Sequence, residues 1–161
     1  MNERIKKMLL YMEENKLEAF LVSKGENIRY LSGFTGGEDA RLLLTPQHRY
    51  IFTDSRYFEQ VKRECPDWKL VESRPPGVEE LQKVSSRLNR IGVEGHVISY
   101  SFFCELEQSL PNKLIPLTNV VEKLRQVKDE DELQMMREAA RIGDEVFSEL
   151  CRYKIAPRVS E

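Results

Sequence analysis

The side chains in this sequence that could carry chemistry are few and far apart. His48 and His96 are the only histidines, and neither has a carboxylate at i+3 or i+4, the spacing that puts two metal ligands on one helix face. Both read as exposed loop residues between a turn and a strand. Cys65, Cys104 and Cys151 are odd in number and widely separated, which favours reduced thiols over a disulfide framework or a C-x-x-C metal site. There is no G-x-S-x-G, no supported Cys/His nucleophile pair and no phosphate loop, and "GFTGG" is too short and wrongly placed for a dinucleotide fingerprint. These residues point to a chain that, by itself, catalyses nothing.

The stretch "ENIRYLSGFTGGEDARLLLT", Glu26 to Thr45, is different. It reads as a glycine-hinged, charge-bearing loop between two strand-like segments, a usual place for function because rigid neighbours position an adaptable backbone. As a plain connection it would hold Gly33, Gly36 and Gly37 only because the turn needs positive φ.

The elements that must position this loop follow from composition and pattern. A chain of 161 residues, 40% hydrophobic and 32% charged with a net charge of −2, suits one globular domain with an appendage and shows no bias toward nucleic acid. The charged N-terminus does not resemble a signal peptide, and no apolar run approaches the roughly 18 residues of a membrane span; the cytoplasm is the expected location. Ile5, Met8, Leu9 and Met12 recur at helical spacing, so the first sixteen residues form an amphipathic helix. "AFLV" follows as a buried strand, and "RLLLT" and "RYIFT" flank Pro46 as a hairpin. "DSRYFEQVKREC" is a helix capped by Asp54 or Ser55, with Arg56 and Tyr57 as structural contacts. "WKLVE" is a strand anchored by Trp68, "RPPG" is a break, and Val78, Leu81, Val84 and Leu88 mark another helix. "RIGVEG", "YSFFCELEQSL" and "LIPL" repeat strand, helix, strand. The alternation predicts an α/β fold with a mixed sheet and helices on both faces.

After Thr118 the sequence is almost all helix formers. Asp129 and Glu132 have the spacing of a capping box, and Leu133, Met136, Ala140, Gly143 and Phe147 give the long helix an apolar stripe. Met135 and Met136 are expected in a core. Such a stripe needs a partner.

Three stretches in order, "NIRYLSGFTG" (Asn27 to Gly36), "FTDSRYFEQ" (Phe52 to Gln60) and "VEKLRQVKDEDELQMMREAARIGDEVF" (Val121 to Phe147), resemble the amino-terminal half of the proline-specific metallopeptidases: Xaa-Pro aminopeptidase, prolidase (Xaa-Pro dipeptidase) and their relative creatinase. The likeness runs from about Leu17 to the end of the chain. It implies a creatinase/prolidase-type N-terminal domain over residues 1–121, with a linker and the first helix of a truncated pita-bread catalytic domain over 122–161. "YKIAPRVSE" resembles the family's "ikpGmtE" turn but carries Arg158 where the family has glycine. On this reading the sequence is an excised fragment.

The resemblance implies a parent enzyme that cleaves the bond before proline, which lacks an N–H, in dipeptides or peptide N-termini. Two divalent ions (Mn, Co or Zn), spaced by roughly 3.5–4 Å, would supply hydroxide and polarise the carbonyl. Their ligands, two Asp, one His and two Glu, belong to the missing domain, so this chain is expected to hold no catalytic residue, no metal and no cofactor. It would support a homodimer, and the loop after "GFTG" would lean toward the partner subunit's site, with Gly37, Glu38, Asp39 and Arg41 shaping substrate access. Charges there suit the free amine or carboxylate of a short peptide. A creatinase-like amidinohydrolase and a binding module that has lost its metal ligands are the alternatives.

Overall fold

The computed structural model describes residues 3–74 and 77–152. The "PP" of the "RPPG" break, the "YKIAPRVSE" turn and Arg158 lie outside the described residues. The chain divides into two compact units, Met1–Arg125 and Gln126–Glu161.

In the first unit α1 (Glu3–Glu14) leads to β1 (Ala19–Val22). Helix α2 (Gly25–Ser32) follows, then the hairpin strands β2 (Arg41–Leu44) and β3 (Arg49–Thr53). Helix α3 (Phe58–Glu64) connects to β4 (Lys69–Glu72). Helix α4 (Val78–Ser85) crosses to β5 (Arg90–Glu94), α5 (Tyr100–Ser109) to β6 (Lys113–Leu117), and α6 (Val120–Gln126) ends the unit.

The six strands form one mixed sheet in the order β4-β3-β2-β1-β5-β6, the expected fold class. Strand β2 is antiparallel to both its neighbours, and every other pairing is parallel. Five strands therefore end at one edge, where β2 begins. Period-two alternation divides the core. Phe20, Leu42, Leu44 and Ile51 pack with Ile5, Met8, Ile28, Val61 and Val121 on one face, while Leu21, Leu43, Ile91 and Val93 pack with Leu81 and Leu106 on the other. Pro116 lies in β6, an outer strand, where a missing N–H does least harm.

Two expectations need correction here. Glu26 to Ser32 is helix, not loop, because Asn27, Ile28, Tyr30 and Leu31 share one buried face at helical spacing. Of the three glycines, only Gly33 has positive φ, 82°, as the left-handed cap of α2. Gly37 is required by proximity instead, since a Cβ there would stand 2.5 Å from the Gly25 carbonyl oxygen.

The second unit is α7 (Glu130–Arg152). Its start is the anticipated capping box: Asp129 N–H donates to Glu132 Oε2 at 3.1 Å, and Glu132 N–H donates to Asp129 Oδ1 at 2.9 Å. The expectation of a core place for Met135 and Met136 fails, with the two side chains 75% and 55% exposed. No described residue of α7 is buried. Periodicity creates an apolar face but does not supply the surface that would cover it.

Candidate functional site

The segment between α2 and β2 is shorter than the sequence suggests and is pinned at both ends. Near its start, Glu64 of α3 accepts from Thr35 N–H at 2.9 Å and from the Thr35 hydroxyl at 3.0 Å. These bonds, the Thr35 N–H foremost with Gln60 and Arg63 assisting, hold the Glu64 carboxyl down at about 2. Near its end, Gly37–Asp39 form one 3₁₀ turn. Asp39 Oδ2 accepts from Tyr57 O–H at 2.6 Å, Asp39 Oδ1 from Arg56 at 3.4 Å, and the Asp39 carbonyl from the Thr53 hydroxyl at 2.8 Å. The bond to Asp39 raises the Tyr57 phenol.

Arg56 is itself held by Asp54, which accepts from its Nε at 2.9 Å and Nη2 at 2.7 Å, and from its backbone N–H at 3.0 Å. The guanidinium lowers Asp54 to about 2. Asp54 thus caps the turn, and Arg56 and Tyr57 are contacts within the fold, as their sequence setting implies.

The four residues that the sequence resemblance puts forward as shaping substrate access differ in setting. Gly37 is buried and Glu38 and Asp39 are exposed. Arg41 opens β2, half-buried, with its guanidinium 4.4 Å from the centre of the Phe102 ring. Burial lowers its pKa, and the charge of Glu105 works against that. Glu38, Asp39 and Arg41 line one pocket of about 330 Å³ with Ser23, Thr53, Ser99 and Phe102. It lies beyond the carboxyl ends of β1, β3 and β5, where open α/β sheets place ligands.

Beside it is a network that sequence reasoning missed. Glu94, 2% exposed at the end of β5, accepts from Ser23 N–H at 2.6 Å and Lys24 N–H at 2.8 Å through Oε2, and from Asn27 Nδ2 at 2.6 Å through Oε1. The same Asn27 nitrogen donates to Glu122 Oε1 at 2.9 Å, and Asn27 Oδ1 accepts from Arg125 at 3.0 Å. Lys24 Nζ and His96 Nε2 each lie 3.1 Å from Glu122 Oε1. His96 is thereby partnered across the fold.

The two carboxyls diverge. Burial raises Glu94, against the bonds it accepts. Burial also presses Glu122 upward, but bonds from Asn27, Lys24 and His96 outweigh it and bring the group to about 2. The available signals were a glutamate closing an apolar strand and an asparagine on the apolar face of α2.

Glu94, Glu122 and His96 are the nearest approach to a metal-ligand set, but the oxygens of Glu94 are taken by N–H donors. Among the described residues no group of three or more His, Cys, Asp or Glu converges to hold a metal ion. A two-metal centre does not fit these residues. None of the described helices is long and apolar enough to cross a membrane.

A mixed-sheet α/β domain with a pinned loop and a polar pocket at its carboxyl edge defines the class. The chain belongs to the creatinase/prolidase N-terminal domain family, whose sequence model matches residues 4–127. It is 27% identical over 148 residues to the Bacillus subtilis (strain 168) uncharacterized peptidase YqhT, covering 90% of this chain and 41% of that protein. The structure of an Xaa-Pro dipeptidase from Bacillus anthracis superposes with a TM-score of 0.89 at 27% identity, over 99% of this chain and 45% of that one. The N-terminal domain of the cytoplasmic peptidase PepQ from Mycobacterium tuberculosis H37Rv gives 0.70 at 26% identity, over 77% of this chain and 99% of that one. The chain spans about two-fifths of the length of most of the curated relatives it matches.

Proposed function

We propose that this chain is the noncatalytic N-terminal part of a metal-dependent Xaa-Pro peptidase, where it supports a homodimer and shapes the access of short proline-containing peptides. The likeness to the Bacillus anthracis Xaa-Pro dipeptidase carries the reading, because it extends along 99% of this chain and leaves more than half of that enzyme beyond the match. In this reading residues 122–161 are the linker and first helix of the catalytic domain, and the apolar stripe of α7 packs within that domain. The two divalent ions, Mn, Co or Zn, belong there as well, and the enzyme works in the cytoplasm.

Gly37, Glu38, Asp39 and Arg41 are the access residues. The bonds from Thr35 to Glu64 and from Tyr57 to Asp39 favour that role, since a wall of fixed shape selects substrates better than a mobile one. The test is hydrolysis of Xaa-Pro peptides with added Mn(II), Co(II) or Zn(II), by this chain and by a longer protein that continues through a second domain. Cleavage by the longer protein alone is the expected result. Cleavage by neither overturns the peptidase reading, and cleavage by this chain overturns its noncatalytic assignment.

A further inference from the structure

We propose that the apolar face of α7 is a docking surface for a second copy of this chain, whose own α7 lies antiparallel on it as a two-helix coiled coil. The proposal is independent of the peptidase reading, in which a second domain covers the same face. In the chain of 161 residues a second copy takes that place.

The face is open and regular. Met136, Phe147 and Leu150 are all more than half exposed, and a contiguous apolar surface of this kind marks an interaction site. Leu133, Met136, Ala140, Gly143, Phe147 and Leu150 follow one another at alternating steps of three and four residues, the repeat that keeps a seam turned toward a partner helix. Gly143 is a second sign. A Cβ there would meet no described atom within 4 Å beyond the helix's own backbone, so no neighbour in this chain requires a residue that weakens a helix interior relative to alanine. A second helix crossing closely at that point does require it.

Shape and charge select the occupant. Across a two-fold axis residue i meets j while j meets i, and one antiparallel register satisfies the whole seam: Leu133 against the partner's Leu150, Met136 against the partner's Phe147, and Ala140 against the partner's Gly143. The small residues meet at the axis and the large ones fill the ends. In the same register Arg137 faces the partner's Asp144 along one flank, giving two ion pairs in the dimer, and Ala139 faces the partner's Val146 along the other. Arg137 holds Glu130 at 2.9 Å through Nη1 alone, in an exposed pair, and its Nε and Nη2 donors remain; Asp144 has no ion-pair partner among the described residues. Antiparallel order also opposes the two helix dipoles and sets the acidic first turn, Glu130 to Glu132, against the end that carries Arg152. Met135 and Ile142 lie one row further out, at the rim.

A pair of helices about 34 Å long makes a small interface, so a dissociation constant on the order of 10–100 μM is expected. At the lower concentrations of an unfolding measurement the chain is then monomeric. The test is sedimentation velocity of this 18.9 kDa chain from about 5 to about 500 μM, across which it should pass from monomer to dimer. Phe147→Glu puts a charge on the seam and weakens the dimer more than about tenfold. Arg137→Glu and Asp144→Arg each set like charges opposite one another twice and weaken it about tenfold. Mixed in equal amounts, these two variants regain both ion pairs in a heterodimer and associate within about threefold of the unchanged chain. All three positions are exposed, and circular dichroism checks that the variants keep their fold. The proposal falls if no dimer forms by about 500 μM, if Phe147→Glu leaves the dimer intact, or if the mixture associates no more tightly than either variant alone. Hydrolysis by a longer protein without a dimer of this chain would remove only this proposal. A dimer without hydrolysis would remove only the peptidase reading.

Discussion

Helices α1 and α7 have the same kind of sequence and opposite fates. Both carry apolar residues at helical spacing and charges elsewhere. In α1, Ile5 and Met8 are 0% exposed and Met12 is 1% exposed. In α7, Phe147 is 69% exposed and Leu150 56%. Amphipathicity decides that a helix forms and which face is apolar; stability comes only where a second surface covers that face.

The largest effect should come from truncating matched residues in the two helices. Met8→Ala is expected to destabilise the chain by about 2–5 kcal/mol, the range for emptying a packed site, while Met136→Ala changes it by no more than about 0.5 kcal/mol. Urea melts of the two variants check this, and equal losses would mean that α7 is covered in solution.

A smaller effect tests whether the polar core of the first unit stabilises it on the same scale as the apolar core. Asn27→Ala removes the donor shared by Glu94 and Glu122 and the acceptor of Arg125. The expected loss is about 3 kcal/mol, the scale of leaving buried charged groups short of a partner. The same cluster sets a pH dependence. Glu122 is lowered in the folded state from 4.5 to about 2, so its contribution is present above pH 4.5 and is lost as pH falls toward 2. Glu94 is raised, so its contribution is present below its ordinary value and is lost as pH rises. Glu122→Gln should therefore flatten the acid limb of stability against pH; an unchanged limb would show that the carboxylate is not held as described.

The smallest effect lies at the start of α7. Asp129→Ala breaks the capping box and should cost that helix about 1 kcal/mol, visible as faster amide exchange in its first turns with no change in β1. Slower exchange in α7 than in β1 before any substitution would undo the contrast between the two regions.

Much of the fold was legible because it is written at short range. The spacing of Ile5, Met8 and Met12, the hairpin around Pro46, the Asp54 cap and the Asp129/Glu132 box all involve residues within a few positions of one another. Helix α2 was hidden because Gly33, Gly36 and Gly37 dominate the composition of its stretch, although only Gly33 ends the helix. Arg41 was legible as a charge beside a glycine turn. Its stacking on Phe102 was not, since the two residues meet only through the packing of α5 against the sheet.

Local geometry and ordered motifs, which depend on neighbours along the chain, were enough for the strands, for every helix but α2, for the mixed α/β class and for the family. Packing across the fold decided that Asn27 bridges Glu94, 67 positions away, and Glu122, 95 positions away, and that Tyr57 clasps Asp39. Those outcomes depend on strand order and on which surfaces meet. Spacing along a chain carries no direct record of either.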